Sequence, residues 1–493
     1  MTYGISKSKY CSGLQCPKML WLKKNVPEAF DDSCMNQAVL DTGSAVGDLA
    51  MGLFGDFTEV PFGDLGEMIE TTTRLMEQNT PVIAEASFSI DGLFCSVDIL
   101  KMVGGNNVEL YEVKSSTSVH EIYYHDAAFQ CYVLGKLGYN VSCCHIVHIN
   151  NHYTRRGELD IHQLFTIVDV TAQARALQQD IPGNIERIRE YMARPTEPAD
   201  DIGSHCFAPY SCGFWGYCTK DLPKPNVFDI AGARSSTKFK CYYNGLVSFA
   251  QLNTCDALSK NHYQQIEHEL YPCPPQIDAA SIKDFLKKLS YPLYFLDFES
   301  FQPAIPLYDD THPFQQIPFQ YSLHYIEQEN GPLQHKEFLA YPGQDPRRAL
   351  AQQLCEDIPL DVCTTAYNMS FEKGVIRGLA QLYPDLADHL MNIHDHIVDL
   401  MVPFQKRWYY CRAMEGSYSI KYVLPALFPD DPDLDYHNLE GVHNGGEASD
   451  AFSQMASMTP EEMEIKRQQL LKYCGLDTYA MVKVWEKLKE AVK

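Results

Sequence analysis

"YPLYFLDFESF", Tyr291 to Phe301, is an almost wholly apolar run that carries two acids, Asp297 and Glu299, one residue apart. The run predicts a β-strand. Side chains alternate in direction along a strand, so positions i and i+2 share a face and both carboxylates point the same way. Like charges that close repel. Either the strand ends in solvent, where two acids cost nothing, or a divalent cation lies between them. The rest of the chain bears on that choice.

At 493 residues with 45% apolar content, the chain is long enough for two or three folded domains. "PVIAEASF", "LFCSVDIL" and "VELYEVKSS" read as successive β-rich segments, and "EIYYHDAAFQCYVLGKLG" then has helical spacing that stops at Gly138. These form one α/β unit. The segment 219–240, "TKDLPKPNVFDIAGARSSTKFK", has linker chemistry, and short helices such as "IKDFLKKL" follow it. The strand of the opening begins a second α/β unit. The expected division is 1–220, 221–288 and 289–493, with no internal repeat or low-complexity tract.

The formal net charge of −24 repels nucleic acid at long range, so phosphate binding requires local basic patches. Lys7, Lys9, Lys18, Lys23 and Lys24 form one, and Arg234, Lys238, Lys240 and then Lys406, Arg407, Arg412 form shorter ones; each also reads as solvated surface. Neither a signal-peptide core in "MTYGISKSKYCSGLQCPKMLWLKK" nor a run of 18 apolar residues is present, so a cytoplasmic protein without a membrane span is expected. Seventeen cysteines, an odd number, point to reduced thiols with one metal site.

"SVDIL" sets Asp98 in an apolar strand, and "LYEVKSS" sets Glu112 and Lys114 on one face of the next. A cross-strand salt bridge is one reading. The other is metal-dependent phosphodiester cleavage, in which carboxylates hold Mg²⁺ or Mn²⁺ and the lysine orients water or steadies developing charge. Together with Gln130 in "AFQCYVL", these residues resemble the PD-(D/E)XK nuclease superfamily in its RecB-like branch. Glu85 in "IAEASF" matches an upstream acid of that branch. The resemblance implies a restriction-endonuclease-like fold with metal ligands Glu85, Asp98 and Glu112 and catalytic Lys114 and Gln130. It departs at "TGSAVGDLA", where Gly43 and Gly47 have no histidine after them, and at Leu134, where a tyrosine is usual; Tyr132 lies two residues after Gln130.

"HCFAPYSCGFWGYC" spaces Cys206, Cys212 and Cys218 six apart, and Cys16 lies far upstream in "LQCPKMLWL". Paired zinc knuckles are absent. Buried free thiols are one reading of the pattern. One early cysteine before "PK" and a closing trio resemble the iron-sulphur RecB-like nucleases, both CRISPR-associated and AddB-type. That resemblance implies a [4Fe-4S] cluster on Cys16, Cys206, Cys212 and Cys218, with Cys11 an alternative to Cys16, stapling the early segment to the domain's end.

"TTAYNMSFEKGVI" runs from a strand into a helix carrying Glu372, and "LLKYCGLDTYAMVKVWEKL" puts Tyr473 and Asp477 at i and i+4 on one helical face. With Asp297 and Glu299 these residues resemble the DEDD exonucleases of the ribonuclease H-like fold. Asp297 and Glu299 match the D-x-E motif, Asn368 and Glu372 an Asn-x₃-Asp motif, and Tyr473 and Asp477 the Tyr-x₃-Asp motif. The resemblance implies two metals held by Asp297, Glu299, Glu372 and Asp477, with Tyr473 orienting water. Glu372 is a methylene longer than the usual aspartate, and Asp399 in "HIVDLM" is a compensating ligand. "HDH", 394–396, reads as a polar loop.

The sequence thus predicts an α/β protein with two metal-dependent nuclease domains that acts on DNA, with single-stranded ends favoured, in repair or in defence against foreign DNA. The rival is a nucleic-acid-binding scaffold with degenerate sites. A redox sensor built on the cluster lacks any dinucleotide fingerprint.

Overall fold

A computed structural model describes residues 4–34, 37–253 and 255–493. The chain is mixed α/β and divides into two compact units. Unit 1 comprises Met1–Leu222 with Pro303–Phe314, and unit 2 comprises Pro223–Gln302 with Gln315–Lys493. Residues 223–288, read from sequence as linker and short helices, lie within unit 2. Val227, Ile230, Phe249, Leu252 and Ile266 bury themselves in a small core of their own.

Unit 1 begins with β1 (Ile5–Ser6), α1 (Lys7–Gln15), α2 (Pro17–Asn25) and α3 (Gln37–Met51). Its sheet holds β2 (Thr58–Glu59), β3 (Val82–Ile90), β4 (Leu93–Gly104), β5 (Asn107–Lys114), β6 (Asn140–Ile149) and β7 (Phe165–Asp169), side by side in that order, with β1 parallel to β4. The β3, β4 and β5 strands are antiparallel, whereas β5 and β6 are parallel. A parallel pair requires a crossover, and α4 (Glu121–Lys136) supplies it. As the sequence predicts, the helix stops at Gly138. There φ is +89°, and the Tyr139 N–H reaches back to the Leu134 carbonyl.

Unit 1 also receives an excursion from the middle of unit 2. Ala304, Ile305 and Phe314 join the core built by Val46, Ile99 and Tyr153. The Arg155 guanidinium donates to the carbonyls of Pro306 and Leu307 at 3.0 and 3.1 Å. The excursion closes on itself where the Phe314 N–H donates to the Pro303 carbonyl at 2.9 Å.

In unit 2, β8 (Gln276–Ile277) pairs with a late strand described below. The opening stretch is β9 (Leu293–Phe301), central in a five-stranded sheet. It pairs antiparallel with β10 (Ile317–Ile326), which pairs antiparallel with β11 (Gln334–Leu339). On its other side it runs parallel to β12 (Cys363–Ala366), and β13 (Ile397–Asp399) completes the sheet. β14 (Tyr409–Tyr410) is the partner of β8. Three helices matter for the site: α5 (Ser370–Leu382), α6 (Ile420–Leu427) and α7 (Pro460–Glu490). Thr459 and Glu462 form a capping box at the start of α7, whose 31 residues pack Leu476, Ala480, Val484 and Leu488 into the core. No helix among the described residues is long and apolar enough to cross a membrane.

Candidate functional site

Asp297 and Glu299 do not end in solvent. Strand β9 is buried on both faces, and Glu299 is 7% exposed. The solvated-strand reading of the opening therefore fails. Parallel strand β12 delivers the chain to α5, whose first turn holds Glu372, 2% exposed. Tyr473 and Asp477 come from α7, one helical turn apart as their spacing requires.

The tightest grouping is Asp297, Glu299 and Cys474, each offering a ligand atom within 4.8 Å of the others. Glu372 and Asp477 stand outside that grouping but act on it through charge. Burial, then the Asp477, Glu299 and Glu372 charges, hold the Asp297 carboxyl well above the usual carboxylate range. Burial and the Asp477 charge do the same for Glu299, with the Lys421 ammonium of α6 opposing them. Burial pushes Asp477 up to about 6 and Glu372 up to about 8. The Tyr436 hydroxyl donates to Asp477 Oδ1 at 2.6 Å. The Cys474 thiol lies 3.9 Å from Asp297 Oδ2, and burial raises its pKa, so it serves as a weak donor.

Whether a divalent cation suits these residues can be judged from their donors. Mutually repelling carboxylates are hard oxygen ligands for Mg²⁺ or Mn²⁺. Glu372 Oε2 is buried with no hydrogen-bond partner among the described residues, so an oxygen is left over for a cation. The donor set fits. Asp399, the expected compensating ligand, has its Oδ1 taken up by the backbone N–H groups of Asn368 and Met401, both at 2.9 Å, and its charge helps to push up the Glu372 carboxyl. Those bonds hold a turn in which Asn368 has φ of +69°. The "HDH" run closes a helix, with His394 paired to Asp395 and to Arg377.

The first constellation also converges, and two unforeseen residues join it. Glu112 accepts from Lys114 at 2.7 Å, from Gln130 at 2.6 Å, and from Lys7 at 2.8 and 2.9 Å. Asp126 on α4 accepts from Lys114 at 2.7 Å and Gln130 at 3.0 Å. Asp98 accepts the Val113 N–H at 2.7 Å. The register Ala84↔Ile99, Ala86↔Val97 sets Glu85 across from Asp98. There Glu85 adopts φ of +54°, a strained conformation for a non-glycine residue that clusters at functional sites, and accepts from Ser96 at 3.0 Å. Burial, with Asp126 and Asp98, pushes Glu112 up to about 7 against the pull of both lysines. Burial alone would raise Asp126 too, but Lys114 and Lys7 outweigh it and hold that carboxyl well below the usual range. Gln130 Oε1 is buried without a partner among the described residues. Leu134, standing where the resemblance expects a tyrosine, is fully buried in the core.

Asp126 had a local signal, since it lies four residues before Gln130 on the same helical face. Lys7 had none, being part of a basic patch read as surface.

The four predicted cysteines line one cavity. Cys16, Cys206, Cys212 and Cys218 surround it with Met19, Leu22 and Phe214. The Cys212 N–H donates to the Cys206 carbonyl at 2.9 Å, closing the loop that carries the trio. Burial pushes the Cys206 thiol up to about 11, and the neighbouring sulfurs push the same way. Lys18, Asp200, Asp201 and His205 also border the cavity, and four soft sulfur donors around one cavity suit an iron-sulphur cluster. Cys11 is elsewhere, beside Asp126, Lys114 and Glu112, so Cys16 is the early member of the set.

A family model described as "Domain of unknown function (DUF2779)" matches residues 294–419, a stretch that carries Asp297, Glu299 and Glu372 but ends before Tyr473 and Asp477. No curated protein matches the chain.

Proposed function

We propose that the protein is a metal-dependent nuclease with two nuclease-type domains, acting on DNA and favouring single-stranded ends. The observation that carries this reading is the gathering of buried Glu299 and Glu372 with half-buried Asp297 and Asp477 as one mutually repelling group drawn from a strand and two helices. Such a group is costly unless a cation neutralises it. A divalent metal there would activate water and steady the leaving oxygen, the chemistry of phosphodiester hydrolysis. Tyr473, buried beside Asp477, orients the attacking water, and Lys421 supplies positive charge next to the acids.

The sheet order β11-β10-β9-β12-β13, with β9 central, supports a ribonuclease H-like assignment for unit 2. The β3-β4-β5 meander with the β5-α4-β6 crossover supports a restriction-endonuclease-like assignment for unit 1. There Asp98, Glu112 and Glu85 would hold the metal once a donor to Glu112 gives way, and Lys114 with Gln130 would serve the phosphate and water. The cysteine cradle would hold a [4Fe-4S] cluster, and Cys16 would thereby be stapled to the 206–218 loop. Repair of DNA or defence against foreign DNA, in the cytoplasm, follows from the resemblance of both domains.

The test is cleavage of end-labelled single- and double-stranded DNA and RNA with Mg²⁺ or Mn²⁺. Wild type, Asp98→Ala, Asp297→Asn and the double variant should show two separable activities. Tight binding without cleavage by any of them would overturn the nuclease reading and leave a scaffold.

A further inference from the structure

Glu112 is saturated with donors. Its Oε1 accepts from Lys7 and Lys114, and its Oε2 accepts from Lys7 and Gln130. A carboxylate oxygen has two lone pairs, so a cation reaches Glu112 only by displacing a donor. Lys114 and Gln130 are each held a second time, by Asp126. Lys7 makes no hydrogen bond to Asp126 among the described residues. Its other contact is Asp98 Oδ1, at 3.4 Å, and it sits on a four-carbon stem at the first position of α1. It is the donor that can leave.

What keeps Lys7 in place is the helix it begins. Ile5 and Ser6 pair with Leu93 and Phe94, and Ser6 caps α1 through the Lys9 N–H. Tyr10 stacks on Phe129, the neighbour of Gln130, at 4.8 Å. At the far end Gln15 donates to the carbonyls of His205 and Tyr210, both at 2.7 Å, within the loop that carries Cys206 and Cys212. Cys16 is the next residue, and it lines the cradle. One nine-residue helix therefore joins the cysteine cradle to the carboxylates.

We propose that Lys7 is a tethered cation that competes with the divalent metal for Glu112 and Asp98, and that the cysteine cradle sets the strength of that competition by fixing the far end of α1. This rests on the reading of the first constellation as a metal centre. Metal entry frees the ammonium beside the acids, where it meets incoming phosphate.

Mn²⁺ binding to the full-length chain, measured by calorimetry and by the electron paramagnetic resonance of free Mn²⁺, tests this in an Asp297→Asn, Asp477→Asn background that silences the second site. Lys7→Met should lower the Kd about tenfold, as loss of a charged hydrogen-bond competitor requires, while Lys7→Arg stays near wild type. Gln15→Leu, which loosens α1 without touching a cysteine, should shift Kd in the same direction, and should add nothing to Lys7→Met. An unchanged or raised Kd in Lys7→Met overturns the competition. A Gln15→Leu effect that persists in Lys7→Met overturns the link to the cradle. Asp98→Ala separates the two readings: if it binds Mn²⁺ as well as its parent, the metal centre itself is refuted. If it loses binding while Lys7→Met does not tighten it, the proposal for Lys7 alone falls.

Discussion

Tyr436 reaches across 41 residues to donate its hydroxyl proton to Asp477 at 2.6 Å. This bond offsets part of the burial that raises the Asp477 carboxyl, and it holds Oδ1 in a fixed direction. Tyr436→Phe keeps the ring beside Tyr473 and deletes only the donor. The metal-free variant should lose about 1.5–3 kcal/mol, the range for a hydrogen bond to a charged group. Mn²⁺ should restore part of that loss. Thermal melts of both proteins with and without Mn²⁺ check this, and equal melting temperatures without metal would contradict it.

Asp297→Asn should do the reverse. Removing one of the repelling charges should raise the melting temperature of metal-free protein by about 2–4 °C for each kcal/mol relieved. The stabilisation Mn²⁺ gives the parent, about 2.7 kcal/mol at a hundredfold excess over Kd, should disappear. The comparison belongs in an Asp98→Ala, Lys114→Ala background, where unit 1 no longer responds to metal.

Lys114 neutralises both Glu112 and Asp126. Lys114→Met should abolish one of the two cleavage activities. It should also destabilise unit 1, by up to about 3–5 kcal/mol, because Asp126 loses its ion-pair partner and Glu112 keeps only Lys7 and Gln130. Denaturant titration beside the cleavage assay separates the two effects, and wild-type cleavage by this variant would remove Lys114 from the chemistry.

Protein purified without oxygen should be brown, with a broad absorption band and stoichiometric iron. Cys212→Ser should lose both, since one of the four sulfurs around the cavity is gone. Colourless protein holding zinc would replace the cluster with a tetrahedral site.

His324 gives a pH dependence of definite sign. Half-buried beside His335 and bonded to Thr478 at 2.8 Å, it has its pKa lowered by loss of solvent to about 4. An unfolded histidine titrates near ~6.5. Below that pH the unfolded chain takes up a proton that the folded chain refuses, so this contribution to stability is whole above ~6.5 and falls away as pH drops toward 4. His324→Gln should flatten the loss of stability over that interval, measured by urea denaturation at a series of pH values. An unchanged slope would assign the acid sensitivity to other groups.

Much of the site was legible because its pairs are local. Asp297 with Glu299, Glu112 with Lys114, and Tyr473 with Asp477 follow from the two-residue repeat of a strand and the four-residue return of a helix. The same logic, applied to α4, reaches Asp126 from Gln130. Lys7 and Tyr436 lie 105 and 41 residues from the acids they serve, and no periodicity carries that information. Lys7 was also disguised by company, since its neighbours Lys9, Lys23 and Lys24 have the surface roles expected of a basic run. Asp399 has a second task that its spacing did not announce, because its Oδ1 anchors the backbone N–H groups of the turn while its charge acts on Glu372.

The excursion 303–314 means that the gene cannot be cut once to yield two proteins. The chain changes unit after Leu222, after Gln302 and again after Phe314. A fragment starting near residue 285 would carry Ile305 and Phe314 away from their apolar partners, leave Arg155 in the other fragment without its carbonyl acceptors, and tend to aggregate. The Phe314–Pro303 hydrogen bond shows that the ends of the excursion nearly touch. A few glycines joining Gln302 to Gln315 would therefore span the gap at small entropic cost. Such a shortcut, and not a simple truncation, is the form in which unit 2 can be made alone.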